Sequence, residues 1–340
     1  MREGFSTESP RGPFVRAALY LVHVAVWLTA ALFAVWAAAA LHFDVPEASG
    51  WVAGAFVFLV VAGTLLVRRR RWAVLVPLAA SGAILMWWLR LEPSLTRDWQ
   101  ADVSRLPWAE IAGDTVTIHD VRDFDYPGNA AEIPRWTTRT VRLDDIEGVD
   151  LALNYWGSPW VAHPIIIFRV RGAEPLAFSI ETRKERGEEY SALAGFFRRY
   201  ELIVLAGTER DLLGVRAARR EGEDVYLFAT TVTPGAARER CLEYARTMND
   251  LRSRARWYNA VTTNCTTSIR NMHEGAKMPF DWRLLVNGKG DEMLYEMGLL
   301  ETGGLAMDEL KRRSWANADV RSAYAGENFS AEIRRSRSLR

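Results

Sequence analysis

Hydrophobic positions divide the chain into an apolar N-terminal part and a polar remainder. Up to about Leu91 the residue types Ala, Val, Leu and Trp dominate, whereas from Glu92 onward charges recur every few positions. Long apolar stretches lie at residues 14–43, 51–67 and 72–89. The first exceeds, and the other two approach, the roughly 20 residues that a helix needs to span a bilayer. The pattern therefore predicts three N-terminal transmembrane helices with a soluble domain behind them.

Positive charges predict the orientation of these helices. Residues 68–71 are four consecutive arginines between the second and third stretches, and positive residues beside a span are retained in the cytoplasm. We therefore expect a cytoplasmic N-terminus. Three spans then place everything after Leu91 on the far side of the membrane. The alternative is a pair of buried hydrophobic helices in a soluble protein.

Composition shifts predict several segments along the chain. These are a cytoplasmic N-terminus at 1–13, a transmembrane region at 14–91, a linker with a first strand at 92–119, an extracytoplasmic domain at 120–310 and a polar, basic, loosely packed tail at 311–340. The net charge of +1 gives no argument for nucleic-acid binding. The arginine-rich stretches 183–186 and 216–220 are interpreted as solvated faces, with phospholipid headgroup contacts as the alternative. Zinc, P-loop, dinucleotide and serine-hydrolase motifs are missing from the sequence, so we expect neither a metal nor a cofactor.

Two neighbouring apolar runs in the soluble part predict a β-hairpin. Residues 165–170 form an apolar, largely β-branched run with Arg169 as its one charged residue, which is typical of a strand buried on both faces. Residues 176–182 alternate in their side-chain direction and follow a turn signal at Gly172. Pairing of the two strands places His163 opposite one of three residues, Glu181, Thr182 or Arg183. A carboxylate can therefore lie beside the imidazole.

Helical spacing recurs between the strands, which predicts a mixed α+β fold. Residues 188–199, 234–246 and 265–274 carry the helical pattern. Cys241 lies in the middle of the second of these helices, on its apolar face, and is interpreted as a small buried hydrophobic residue. An aromatic loop at residues 155–157 is expected near whatever the domain binds.

Cys265 stands at or just after the predicted N-terminus of the third helix. Thr262, Thr263 and Asn264 are available there as cap residues. Free backbone N–H groups and the helix dipole stabilise a thiolate and lower its pKa from about 8.5. The same N–H groups can bind the oxyanion of a tetrahedral intermediate. The alternative is an inert cysteine or a disulfide bond to Cys241.

A nucleophilic thiol needs a base, and the sequence contains five histidines. His23 and His42 belong to the first apolar stretch, and His273 lies about 12 Å along the helix axis from the cysteine, which is too far for a hydrogen bond. His119 lies in an alternating strand beside charged residues, where a solvated or structural role is expected. His163 opens the most buried strand, so we predict that it is the base.

Several linked motifs resemble a known family. They are Tyr155-Trp156-Gly157, His163, SIETRKE at 179–185, GEEYS at 187–191, YELI at 200–203, ERD at 209–211 and TNCTT at 263–267. This set, spread over roughly residues 120–280, closely resembles the Lnb N-terminal periplasmic domain family. The family is similar to circularly permuted NlpC-type and papain-like thiol enzymes, including lecithin:retinol acyltransferase, in which the histidine strand precedes the cysteine helix.

The resemblance implies a fold and a set of site residues. The fold is a circularly permuted papain-like domain with an antiparallel sheet and a cysteine-bearing helix. Cys265 is the implied nucleophile, His163 the implied base and Glu181 the expected orienting residue, which a slip of the hairpin would replace with Thr182 or Arg183. Further substrate or oxyanion contacts are expected at four positions, Asn264, Tyr155, Trp156 and Arg183.

The resemblance also implies a reaction. The family takes its name from a bacterial lipoprotein N-acyltransferase, which implies acyl transfer through a thioester on Cys265 to the α-amino group of a lipoprotein cysteine. The expected location is the bacterial inner membrane with the domain in the periplasm, and the expected partners are a membrane lipid and a lipoprotein. The alternatives are a cysteine peptidase or amidase acting on peptidoglycan peptides with the same Cys–His pair, and a non-catalytic, membrane-tethered binding domain.

Overall fold

The chain folds into two compact units, Met1–Glu92 and Pro93–Arg340. A computed structural model describes residues 12–45, 49–127, 131–262, 281–283 and 287–335. The two units are described separately below.

The N-terminal unit is helical. Its helices are α1 Pro13–Asp44, α2 Ser49–Leu66, α3 Arg70–Ala73 and α4 Leu75–Leu89. Two segments, Phe14–Asp44 and Arg70–Leu89, are long and apolar enough to cross a membrane, whereas the apolar helix Gly50–Leu66 is shorter. The third span therefore stays a prediction. The ends of α1 and α4 meet where Trp88 Nε1 donates a 2.7 Å hydrogen bond to Asp44 Oδ2.

The second unit is built on a mixed, mainly antiparallel sheet. Its strands are β1 Trp108–Ala112, β2 Thr115–Arg122, β3 Trp136–Arg142, β4 Ile146–Trp156, β5 Ala162–Val170, β6 Leu176–Arg183, β7 Glu201–Thr208 and β8 Glu223–Ala229. They are ordered β1-β2-β7-β6-β5-β4-β8, and β3 also pairs with β2. The pairing of β2 with β7 is parallel and the others are antiparallel. A mixed α+β fold is thus confirmed, while the circular permutation stays a prediction.

Helices cover both faces of this sheet. They are α5 Glu209–Gly214, which runs directly into a π-helix at Val215–Arg219, then α6 Pro234–Ser253, α7 Gly290–Glu296, α8 Met307–Ser314, α9 Asn317–Ala323 and α10 Phe329–Arg335. On one face, Leu212 of α5 and Val320 of α9 pack in a core with Ile165 of β5. On the other face, Tyr244 of α6 stacks on Phe178 of β6 at 4.9 Å between ring centroids. Alternation along each strand supplies apolar side chains to both cores.

The predicted helix at 188–199 is wrong. Within it the structure has only a short 3-10 turn, Ala194–Phe196. Tertiary partners take the backbone groups that a helix would need, because the Tyr200 hydroxyl donates to Glu189 O at 2.7 Å and Ala260 N donates to Gly195 O at 2.7 Å. Tertiary hydrogen bonding has therefore overridden the helical spacing.

The segment predicted as a loose tail is a packed part of the domain. It holds the end of α8 and all of α9 and α10, and Val320 and Ile333 are fully buried in the core. Apolar residues at helical spacing bury this segment despite its polar composition. Residues 92–119, predicted as a linker with a first strand, likewise contribute β1, part of β2 and the buried Val103.

Candidate functional site

His163 lies on β5, near the end of its hairpin with β6. The ladder pairs Ile165 with Ser179, and continuing this register by two residues sets His163 opposite Glu181. Of the three residues expected there, Glu181 is the one whose carboxylate approaches the imidazole, with 3.5 Å between Nε2 and Oε1. On its other side, His163 pairs with Asn154 of β4.

A buried serine joins the imidazole to the carboxylate. Ser179 Oγ lies 2.6 Å from His163 Nε2 and donates a 2.8 Å hydrogen bond to Glu181 Oε1. An ionised carboxylate can only accept, so the single hydroxyl proton of Ser179 is directed to Glu181. Ser179 must then accept its second hydrogen bond from Nε2–H of His163. This arrangement fixes the tautomer and leaves Nδ1 as the basic nitrogen of the imidazole.

Arg216 enters the site from the π-helix. Its Nη2 donates to Glu181 Oε1 at 3.0 Å, and its Nη1 lies 3.8 Å from Glu223 Oε2. Only 6% of Arg216 is exposed, and its Nε is buried without a hydrogen-bond partner in the described part of the chain. π-Helices are rare and occur frequently at functional sites.

The interpretation of 216–220 as a solvated face is wrong for Arg216. Arg220 at the end of this stretch is exposed, but Arg216 is part of the buried site. Arg216 follows the buried residues Leu212 and Leu213 by four and three positions, so helical spacing continues their face through it. The spacing from Leu212 and Leu213 therefore indicated that Arg216 is buried. An interpretation from the charge of residues 216–220 alone does not show this.

Burial and charge together determine the protonation of the central pair. Burial and the Arg216 charge lower the pKa of His163 below its ordinary value, although Glu181 opposes them. Burial alone would raise the pKa of Glu181, but the interaction with His163 and the Arg216 charge hold it well below its usual range. At neutral pH the pair is therefore a neutral imidazole beside an ionised carboxylate.

A cavity of about 220 Å³ opens beside His163. Its wall includes Trp156, His163, Glu181, Arg216, Arg220, Glu223, Tyr258 and Asn287. Tyr258 and Asn287 flank the stretch of chain that carries the predicted nucleophile, and both line this cavity. Cys265 and Asn264 themselves lie outside the described residues. Within the described ranges, there is no group of three or more His, Cys, Asp or Glu that could hold a metal ion.

Two of the expected contact residues lie away from the cavity. Trp156 lines it, but the neighbouring Tyr155 faces the other side of β4, where its hydroxyl donates to Gly288 O at 3.1 Å. The predicted aromatic loop is instead the end of a strand, so adjacent side chains point to opposite faces. Arg183 is buried and donates to Val103 O at 2.9 Å, which ties β6 to the segment before β1.

Exposed apolar side chains lie on the cavity wall and on chain segments that adjoin it, and they are named here the apolar rim. The rim consists of Trp160, Val161, Tyr190, Leu193, Phe196 and Trp282, which are 40% to 66% exposed. Val161 and Tyr190 line the cavity itself, and the ring of Trp160 lies 6.3 Å from that of Trp282. Contiguous exposed apolar surface commonly marks a binding site. Apart from the aromatic motif at 155–157, no pattern in the sequence indicated this surface.

The remaining candidates have structural surroundings. His119 stacks on Trp108 at 4.0 Å between ring centroids and lies 3.3 Å from Glu110, outside the cavity wall. Cys241 is a free, buried cysteine on α6, and burial raises the pKa of its thiol to about 12. The prediction that Cys241 is a small buried hydrophobic residue is confirmed.

Comparison with known proteins identifies the segment that holds this geometry. Residues 132–288 match the Lnb N-terminal periplasmic domain family. The match confirms the resemblance that the motifs predicted. The matched segment carries His163, Ser179, Glu181 and Arg216, and the folded unit extends beyond it at both ends. No curated protein and no solved structure matches the chain at a significant level.

The family match and the apolar helices together indicate where the protein works. The matched segment is similar to a periplasmic domain family, and the helices that precede it are apolar, two of them long enough to cross a membrane. The chain is therefore a membrane-anchored protein with a periplasmic domain.

Proposed function

We propose that the protein is a thiol acyltransferase in which Cys265 is the nucleophile and His163 the base. The observation that carries the proposal is the hydrogen-bond relay from His163 through Ser179 to Glu181, beside a cavity. A neutral imidazole with a fixed tautomer is what general-base activation of a thiol requires. The Lnb family match adds a second, independent line of support.

Chain connectivity is compatible with this pairing. Cys265 follows Tyr258 of the cavity wall by seven residues, a span of at most about 25 Å of extended chain. At the other end of the same stretch, the chain returns to the cavity at Asn287. A cysteine between two residues of the wall that holds His163 is therefore compatible with the proposed pairing.

The proposed reaction has two half-reactions. In the first, Nδ1 of His163 takes the thiol proton and Sγ of Cys265 attacks an ester carbonyl carbon. The tetrahedral intermediate expels the lipid alcohol, which receives the proton from His163, and a thioester remains on Cys265. In the second, the α-amino nitrogen of a lipoprotein cysteine attacks the thioester, an amide bond forms, and the proton released by the amine restores the thiol.

The apolar rim favours an acyl substrate over a peptidoglycan peptide. Leu193, the most exposed rim residue at 66%, and Phe196 lie in one turn, and Trp160 and Trp282 form a second apolar group. Aromatic and aliphatic side chains bind acyl chains through burial of apolar area, whereas muropeptides and glycan strands are polar. The donor is therefore proposed to be a membrane phospholipid and the acceptor a lipoprotein.

Trapping the acyl-enzyme tests this proposal. Purified full-length protein is incubated separately with phospholipid and with muropeptides, and the products are analysed by mass spectrometry. We expect an alkali-labile acyl adduct on Cys265 that is lost in Cys265→Ala and His163→Gln and kept in Cys241→Ala, the matched cysteine control. Cleaved peptide cross-links without an adduct would establish the peptidase alternative, and an unreactive Cys265 with either substrate would establish a binding domain.

We further propose that the domain lies in the periplasm of a bacterium with the N-terminus in the cytoplasm. This orientation requires that the shorter helix Gly50–Leu66 also crosses the inner membrane, because two spans would return the domain to the side of the N-terminus. Alkaline phosphatase fused after Glu92 is active only in the periplasm. An inactive fusion with an intact membrane fraction would contradict the three-span arrangement.

A further inference from the structure

Arg216 is a buried cation whose position the relay itself does not require. Ser179 alone could join His163 to Glu181, yet Arg216 Nη2 donates to the same oxygen, Glu181 Oε1, that accepts from Ser179. A guanidinium with 6% exposure costs desolvation energy, so its place beside the carboxylate calls for a physical role.

The surroundings hold Arg216 from its other side. Glu223 of β8 lies 3.8 Å from Arg216 Nη1 and accepts a 2.7 Å hydrogen bond from Asn154 Nδ2. Asn154 is the residue that pairs with His163 across β4 and β5. Arg216 is therefore fixed between two carboxylates, of which only Glu181 contacts the imidazole within the described residues.

We propose that Arg216 is a positioning residue that keeps His163 an uncharged base by neutralising Glu181. The inference rests on the proposed role of His163 in the preceding section. Without a cation, an ionised carboxylate 3.5 Å from Nε2 would stabilise the imidazolium and hold a proton on the ring. With Arg216 in place, Glu181 still orients the imidazole through Ser179. The guanidinium of Arg216 compensates the negative charge of Glu181, so the carboxylate stabilises the imidazolium less.

Other charges around His163 are arranged so that Arg216 dominates. The titratable groups of the cavity wall are Asp102, Glu181, Lys184, Tyr190, Arg216, Arg220, Glu223 and Tyr258. Arg220 pairs with Glu223 at 3.4 Å, and its side chain is 41% exposed, so solvent screens its charge more than that of the buried Arg216. Arg122 also acts on Glu181, but it is committed to Asp211, with 2.9 Å between Nη2 and Oδ1.

Histidine titration by NMR tests the inference directly. Full-length protein with ¹³Cε1-labelled histidine is titrated in detergent micelles, and the His163 signal is assigned from its loss in His163→Gln. In Arg216→Gln we expect the His163 midpoint to rise by about one pH unit or more. The imidazole rather than Glu181 takes up the proton because its ordinary pKa, about 6.5, is the higher of the two.

Matched variants separate charge from shape. Arg216→Lys keeps the charge and should titrate close to the wild type, and Arg220→Gln should shift the midpoint much less than Arg216→Gln. If Arg216→Gln does not fold, Glu223→Gln gives an independent measurement, because loss of this carboxylate leaves the Arg216 charge less compensated and should lower the midpoint. An unchanged His163 midpoint in a folded Arg216→Gln, or a raised one in Glu223→Gln, would overturn the inference.

The same samples distinguish this inference from the proposed function. Alkylation of Cys265 by iodoacetamide reports whether the thiol is activated, and it does not enter the histidine titration. If the His163 titration midpoint shifts in Arg216→Gln but Cys265 is inert, the proposed enzyme activity is wrong and the electrostatic role of Arg216 stands. If Cys265 is reactive but the His163 midpoint does not shift, only the proposed role of Arg216 is wrong.

Discussion

At the scale of single residues, the orientation of the imidazole depends on one hydroxyl. Ser179 is fully buried and is the link between Nε2 of His163 and the carboxylate of Glu181. Groups that orient a catalytic histidine affect the reaction without touching the substrate. A variant without the Ser179 hydroxyl should therefore keep the imidazole of His163 but lose the contact that orients it.

We expect Ser179→Ala to lower the rate of acyl-adduct formation by about 10-fold to 100-fold. The remaining distance of 3.5 Å between His163 Nε2 and Glu181 Oε1 is too long for a good hydrogen bond, so the ring loses its fixed tautomer. Single-turnover kinetics with phospholipid measure the rate. Ser179→Thr, which keeps the hydroxyl, should retain most of it, and equal losses in both variants would point to a packing defect instead.

The sequence allowed the central part of this site to be predicted, but not its periphery. His163 and Glu181 could be paired because a hairpin with a clear turn has only a few possible registers. Ser179 was part of a recognised motif without a role, and Arg216 was hidden in a run of arginines. Both positions depend on which neighbours lie within hydrogen-bond distance, and this is decided by packing between distant elements.

At the scale of elements, strands with an unbroken apolar pattern were predicted well, and segments with mixed composition were not. β5 and β6 appear where the pattern placed them, because apolar side chains recur along both strands and are buried against the cores on the two faces of the sheet. The segment 188–199 and the C-terminal helices were mispredicted for opposite reasons. Tertiary hydrogen bonds prevented a helix in the first, and a few buried side chains stabilise helices in the second.

Ile333 tests whether α10 is integral to the domain. It is fully buried in the core that β5, α5 and α9 share, so Ile333→Ala should lower the free energy of unfolding by about 2–5 kcal/mol. The exposed Arg335 on the same helix is the control, and Arg335→Ala should change stability by less than about 0.5 kcal/mol. Denaturant unfolding followed by circular dichroism measures both. Equal stability of the two variants would support a loosely packed tail.

At the scale of the whole molecule, helices able to cross a membrane and an apolar rim occur in one chain. The N-terminal unit contains helices able to cross a membrane, and the second unit exposes apolar side chains around its cavity. Overall composition concealed this division, because a net charge of +1 and 49% hydrophobic residues are typical of an ordinary globular protein. The rim could not be predicted, since its members come from separate loops.

Leu193 tests whether the rim binds the lipid substrate. We expect Leu193→Glu to reduce adduct formation from phospholipid bilayers about 10-fold, because a charge replaces a side chain that is 66% exposed on the rim. Transfer from a short, water-soluble ester should be unaffected. Ile133→Glu, at an apolar position outside the rim that is 54% exposed, is the control. Equal losses with both donors would indicate damage to the cavity rather than loss of lipid contact.

Residues on the face of β4 that points away from His163 also support the cavity wall. Tyr155 faces away from His163, yet its hydroxyl holds Gly288, and Lys311 of α8 lies over its ring and pairs with Asp291 at 2.6 Å. Gly288 adjoins Asn287 of the cavity wall. A clamp built by α8, downstream of the matched family segment, thus anchors the returning end of the chain that carries Cys265. Substitutions in α8 are therefore expected to change the cavity wall near Asn287, although α8 is not part of that wall in the described residues.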